Sequence, residues 1–172
     1  VAPLEHSSLF KWFTNRKGTS GYIKVSATNQ SDVQLVTELN GKDIKIKYLD
    51  SAYLFSDLHR AAYLRDMKAG HTDFTFELDD EGNPYWVITR YDNAIGITEE
   101  KAIGVLVLDA QTGKSNIYGI EDAPDWIDRI QPDRYIRNYI DKWGELVHGV
   151  FNFSDKDKLT STKGMNLIFN ND

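Results

Sequence analysis

Hydrophobic and polar residues alternate along residues 21–27, with Tyr22, Lys24 and Ser26 on one side and Ile23, Val25 and Ala27 on the other. That period of two predicts a half-buried strand. A second strand is predicted over 33–39. Asn40-Gly41 then gives a strong hairpin signal before the alternating residues 44–48. The period changes after residue 50. Leu54, Phe55, Leu58, Ala61 and Ala62 recur at helical spacing and predict a helix over 52–67, capped by Asp50 or Ser51 and ended by Gly70. Asp57, Arg60 and Lys68 fall on its polar side. Upstream, residues 9–13 form a short apolar run followed by a turn at 15–18.

The second half opens with a predicted hairpin, strands 74–78 and 85–91, across the turn cluster Asp79-Asp80-Glu81-Gly82-Asn83-Pro84. Residues 92–101 read as a polar loop holding a helical turn at 98–100. Residues 104–109 and 115–120 form the next hairpin, turning at Gln111-Thr112-Gly113-Lys114. Pro124 suits the start of a short helix with Trp126, Ile127 and Ile130. Pro132 opens a longer one whose stripe is Tyr135, Ile136, Tyr139, Ile140, Trp143 and Val147, weakened by Gly144 and stopped by Gly149. A last strand is predicted over 165–169.

This order mixes antiparallel hairpins with helices and lacks regular βαβ alternation. It predicts an α+β fold, one or more antiparallel sheets with two main helical segments packed on one face. The order also repeats itself: a strand, a polar turn, a strand and then an aromatic-rich helix occur at about 20–70 and again at about 73–150. An incomplete third unit would start near 164. The chain reads as a single fragment of a longer protein, since a strand running into Asn170-Asn171-Asp172 leads towards a hairpin.

Composition narrows the function classes. A net charge of −6 argues against general nucleic-acid binding, which needs a basic field, and against docking on an anionic membrane. The absence of cysteine removes disulfides, thiol catalysis and cysteine-ligated zinc. No apolar run approaches the roughly 20 residues of a membrane span.

The segment Trp86-Val87-Ile88 leading through Gly104-Val105-Leu106-Val107-Leu108-Asp109-Ala110-Gln111-Thr112-Gly113-Lys114 is similar to PepSY-type modules, whose hallmark is a strand, then a strand ending in Asp-Ala-x-Thr-Gly, then a further short strand. With residues 76–86 and Pro124-Asp125-Trp126-Ile127-Asp128-Arg129, the ordered set resembles the extracytoplasmic part of large bacterial membrane proteins carrying such modules. The first unit departs from the hallmark, with Ser26-Ala27-Thr28-Asn29-Gln30 in its place. The resemblance implies a small cystatin-like sheet with a helix, and a role in binding or restraining partners, sometimes peptidases. It brings no catalytic residues.

Candidate chemistry is sparse. Thr112-Gly113-Lys114-Ser115 looks like the end of a phosphate loop, but Leu108 stands where the first glycine is required. Asp79, Asp80 and Glu81 lack the alternating acidic loop of a calcium site and read as a solvated turn. His6, His59, His71 and His148 show no paired zinc spacing; His59 reads as a partly exposed packing residue and His148 as a helix-end residue. Trp126, Tyr135, Tyr139 and Trp143 are the candidate interaction surface, because aromatics anchor interfaces, although their helical spacing equally suits a core face.

The expectation is therefore a non-enzymatic extracytoplasmic binding or regulatory module of a bacterial membrane protein, needing no cofactor or metal. Its partner would be an unknown protein or cell-envelope component, and not nucleic acid. A structural spacer or oligomer-assembly domain is the alternative. A carboxylate-based hydrolase is a lesser one, since no required constellation is visible.

Overall fold

The structure, a computed structural model, describes residues 1–26, 31–93, 100–128, 133–145 and 157–160. The predicted strand at 165–169, the third unit, His148 and most of the loop at 92–101 lie outside those residues. The fold is α+β with antiparallel sheets. Strand β1 (Ala2–Pro3) is followed by helix α1 (Leu9–Thr14) and by strands β2 (Tyr22–Val25) and β3 (Val33–Val36). These three strands form one sheet in the order β1-β2-β3. Strands β4 (Glu38–Leu39) and β5 (Lys42–Asp43) make a minimal hairpin. Its turn is Asn40-Gly41, both with positive φ (51° and 74°), as the dipeptide predicts.

A 3-10 turn (Leu54–Ser56) leads into helix α2 (Leu58–Arg65). Then β6 (Gly70–Leu78), β7 (Pro84–Asn93), β8 (Glu100–Asp109) and β9 (Ser115–Tyr118) build a four-stranded meander in sequence order. Helix α3 (Asp133–Glu145) follows. Among the described residues no helix is long and apolar enough to cross a membrane.

Several boundaries differ from expectation. The helix expected over 52–67 starts only at Leu58, where the Asp57 carboxylate accepts the Arg60 N–H at 2.7 Å. Asp57 outcompetes Asp50 and Ser51 as cap because Leu54 sits in the left-handed region, φ 56°, which an α-helix does not tolerate. Leu58, Ala61 and Ala62 are buried as predicted, whereas Leu54 and Phe55 are exposed. Gly70 begins β6 rather than ending the helix, which closes at Asp66. The loop expected at 92–101 is shorter, because β7 runs to Asn93 and β8 starts at Glu100. Of the short helix expected after Pro124, residues 124–128 show a turn in which Ile127 N–H meets the Pro124 carbonyl at 3.1 Å, and Ile130 lies outside the described residues. The apolar run at 9–13 is a six-residue helix capped by Ser8.

Both faces of the four-stranded sheet are covered. On one, Trp86, Ile88, Leu106 and Leu108 pack with Leu58, Ala61 and Ala62 of α2 and with Ile44, Ile46, Tyr48 and Tyr22. Residues 44–48 alternate buried and half-buried, as their sequence predicts. On the other face Val87, Val105 and Val107 meet Ile127, with Tyr85, Tyr118, Ala123 and Trp126 around them. One apolar core thus joins the β1-β2-β3 region to the meander.

Candidate functional site

Helix α1 is too short to bury all of its apolar residues. Six residues make under two turns, and only Trp12 faces inward. Leu9, Phe10 and Phe13 are left in solvent, Phe10 with 81% of its surface exposed. Trp12 meets the Tyr53 ring at 5.5 Å and so docks α1 beside the 3-10 turn. Tyr53, Leu54 and Phe55 of that region are exposed too, Phe55 at 76%. The left-handed Leu54 turns these side chains out of the core. The two elements, docked through Trp12 and Tyr53, each carry exposed aromatic side chains, together termed the ridge.

Cations flank the ridge. The Arg16 guanidinium lies 4.7 Å from the centre of the Phe13 ring and 5.6 Å from that of Trp12. Arg60 stacks on Phe55 at 5.3 Å. These distances are within the range of cation–π attraction, which fixes long side chains at little desolvation cost. Where α1 ends, Phe13, Thr14, Arg16, Lys17, Ser20 and Lys45 line an open pocket of about 440 Å³. Lys45 Nζ donates to Ser20 Oγ at 2.9 Å and lies 3.9 Å from Asp43. Lys17 has no acidic partner among the described residues.

The residues predicted as an interaction surface are placed differently from one another. Trp126 is half-buried and its ring packs 5.2 Å from Tyr85 on the sheet. Tyr135, at the start of α3, is half-buried and engaged. Trp143 is 65% exposed on the same helix. Tyr139 lies on α3, and its side chain is outside the described residues. Gly144 admits a close approach: Leu159 N–H meets its carbonyl at 3.2 Å, where a side chain would strike Leu159.

No family model, curated protein or solved structure matches this chain. Its reading rests on its own geometry.

The Asp-Ala-Gln-Thr-Gly segment is a structural tie. Asp109 Oδ1 accepts the N–H groups of Gln111 (2.8 Å) and Thr112 (3.0 Å), and Oδ2 accepts the Thr112 hydroxyl at 2.6 Å. Gly113 donates to the Asp109 carbonyl at 2.8 Å. The turn's amides therefore serve Asp109 and are not aimed at a phosphate. Its outer side is held as well: the Ala110 carbonyl accepts from Lys47 and Tyr48, and the Gly113 carbonyl accepts from Arg65 Nε at 2.8 Å. Gly113 has φ 73° and lies against the Tyr48 ring, so a side chain there is excluded twice over. The Asp79 turn works likewise, with Asp79 Oδ1 accepting from Glu81 (3.0 Å) and Asn83 (2.8 Å). His59 is exposed, its ring tilted against that of Phe74 with centres 4.2 Å apart, and lies 3.4 Å from Asp50.

One buried ionic cluster was not visible in the sequence. Register pairs His71 of β6 with Arg90 of β7, and Asp66, the last residue of the α2 cap, descends onto both. Arg90 Nε donates to Asp66 Oδ2, and His71 Nε2 lies 3.6 Å from the same oxygen. The side chains of Asp66 and His71 are only 5% and 9% exposed, so both are largely shut away from solvent. Burial works to raise the Asp66 pKa, but the Arg90 hydrogen bond and charge, the Lys68 N–H and His71 outweigh it and hold it below the usual carboxylate value. Burial pushes the His71 pKa down; Asp66 opposes this and Arg90 reinforces it. His6 is lowered by burial too, against the opposing charge of Glu5.

These directions fix a pH response. A histidine with a lowered pKa in the fold binds its proton more readily when unfolded. Stability from His6 and His71 is thus complete above their ordinary value of 6.5 and is lost as pH falls below it. Asp66 adds a second loss below 3.8. The urea midpoint is expected to fall between about pH 7.5 and about pH 5, and His71→Gln to flatten part of that slope. A midpoint that is constant or rising on acidification contradicts the assignment.

The sequence did hint at the ridge. A run with Leu9, Phe10, Trp12 and Phe13 between polar turns carries more apolar surface than one short helix can bury. The pocket's cations gave no such hint, because Lys45 joins Arg16 and Lys17 only through the Thr19–Ile46 bridge.

Proposed function

We propose that this chain is a non-enzymatic binding or regulatory module, PepSY-like in type, displayed outside a bacterial cell as part of a membrane protein. The observation that supports this reading is the aromatic ridge. Scattered exposed hydrophobics are ordinary on a protein surface. Phe10, Phe13, Tyr53, Leu54 and Phe55 are instead gathered on two elements docked through Trp12 and Tyr53. Large aromatics collected in this way are the usual anchors of protein interfaces. The partner is a protein or cell-envelope component, and restraint of a peptidase is one form the regulation would take.

The test is photo-crosslinking on living cells that carry the full-length protein, with the reactive side chain at Phe10, at Phe55 and, as a control, at Thr112. Discrete adducts from the first two positions and none from the third are expected. No adduct from Phe10 or Phe55, or robust turnover in an activity screen that a single polar substitution abolishes, overturns the reading.

A second reading, an assembly or spacer domain, is favoured by the outer face of the β2–β3 pair. There Val25 faces Val33 and Ile23 faces Leu35, with Val25, Val33 and Leu35 exposed. Light scattering separates the two readings, since a strict monomer removes self-assembly and leaves partner binding intact.

A further inference from the structure

We infer that the pocket at the end of α1 receives the carboxylates of an acidic peptide segment of the partner, with an apolar residue of that segment lying on Phe10 and Phe13. The inference rests on the binding-module reading and names the partner's chemistry. The chain carries a net charge of −6, yet Arg16, Lys17 and Lys45 converge on one opening. Against these three cations the described residues set one close carboxylate, Asp43, at 3.9 Å from Lys45. Arg16 is held in place by the Phe13 and Trp12 rings, which reduces the ordering cost of using it. Ser20 Oγ accepts from Lys45 and so keeps its own proton to donate. Thr14 is spent on its helix, its hydroxyl lying 3.1 Å from the Phe10 and Lys11 carbonyls.

The donor set suits carboxylates better than phosphate. Phosphate sites are commonly nests of free backbone N–H groups. Here the lining amides of Asn15 and Gly18 donate to backbone carbonyls, and that of Lys45 donates to Gln111 Oε1. The cations are instead separate side chains from two segments of the chain, residues 16–17 and 45, beside the Phe13 ring. A segment that alternates acidic and apolar residues matches both features. A bilayer fits less well, because the acidic chain as a whole repels an anionic surface.

The experiment measures anisotropy of a fluorescein-labelled peptide of alternating Glu and Leu as the full chain is added. The double variant Arg16→Glu/Lys17→Glu is expected to bind about tenfold more weakly. Lys101→Glu, remote on β8, is expected to bind as the native chain does. A Gln-for-Glu peptide should lose comparable affinity, and salt should weaken the native complex. If the double variant misfolds by circular dichroism, Lys17→Glu alone carries the test, since Lys17 is exposed and unpaired among the described residues. Equal binding by variant and native chain, or equal binding of the Gln peptide, overturns the inference. So does capture by phosphatidylglycerol vesicles without capture of the peptide. If Phe10 still crosslinks a partner on cells while the acidic peptide fails, this inference falls and the binding-module reading stands. Failure of both removes both.

Discussion

Arg90→Met is expected to destabilise the fold by about 3–5 kcal/mol, the usual cost of stranding a buried charge. Methionine keeps much of the stem and its packing while removing the guanidinium. Asp66, 5% exposed, would then retain only the Lys68 N–H at 3.3 Å and a histidine beyond hydrogen-bond range. Adding Asp66→Asn to Arg90→Met should recover much of the loss, because an amide costs far less to bury than an unpaired carboxylate. The penalty has a pH signature. Arg90 helps to keep His71 neutral. With Arg90 gone, His71 protonates more readily and becomes the counter-ion of Asp66. The gap between native chain and variant should therefore narrow as pH falls through the imidazole range, although the native chain itself weakens there. Urea unfolding at two pH values reads both effects. A loss under about 1 kcal/mol would class the pair with exposed surface bridges and end this account.

The legible parts of this fold were those set by local chemistry. Asn40-Gly41 allowed little but a tight hairpin, and the hairpins β6–β7 and β8–β9 followed from alternating strands and turn clusters, whereas the pairing of β7 with β8 that joins them into a meander was not read from the sequence. Two kinds of feature escaped. The first was a competition between caps. Asp50, Ser51 and Asp57 can each start a helix, and only the left-handed backbone at Leu54 decides for Asp57. That choice moves Leu54 and Phe55 from the predicted core stripe to the exposed ridge. The second was side-chain assembly across distance. Asp66, His71 and Arg90 meet because a register shift between Thr72 and Phe74 resets the alternation of β6. The strand upstream of Asp73 would otherwise present His71 to the opposite face. Alternation likewise identified β2 as a strand without saying which side is inward. Tyr22 is the fully buried residue, and its hydroxyl donates to the Gly82 carbonyl at 3.0 Å, while Val25 stays in solvent. The Asp-Ala-x-Thr-Gly pattern was visible from the start, and its geometry accounts for it as a turn that binds sheet, residues 44–48 and α2 together.

Trp86→Ala is expected to cost about 3–5 kcal/mol, and its consequences reach beyond the sheet. Trp86 is paired across strands with Phe76 and Leu108, meets the Phe76 ring edge-on at 5.3 Å, and donates from Nε1 to the Tyr48 carbonyl at 2.8 Å. Tyr48 in turn donates its N–H to Ala110. Trp86 therefore sits where the meander grips residues 44–48, and through them Tyr22 and Trp12. Trp86→Phe separates the two roles. It keeps most of the buried ring but leaves the Tyr48 carbonyl without its donor, and should cost about 1–2 kcal/mol. Because one apolar cluster runs from Trp12 to Ala110, neither half has a complete core of its own. Both variants should unfold in a single transition, with fluorescence and far-ultraviolet circular dichroism coinciding. A biphasic curve for Trp86→Ala, with the first sheet melting apart from the meander, would show two half-domains stable alone. A single transition at lower urea instead makes the joint between them the source of their stability: a substitution at Trp86 should then also loosen the α1 ridge, because Trp12, which seats that helix, belongs to the same core.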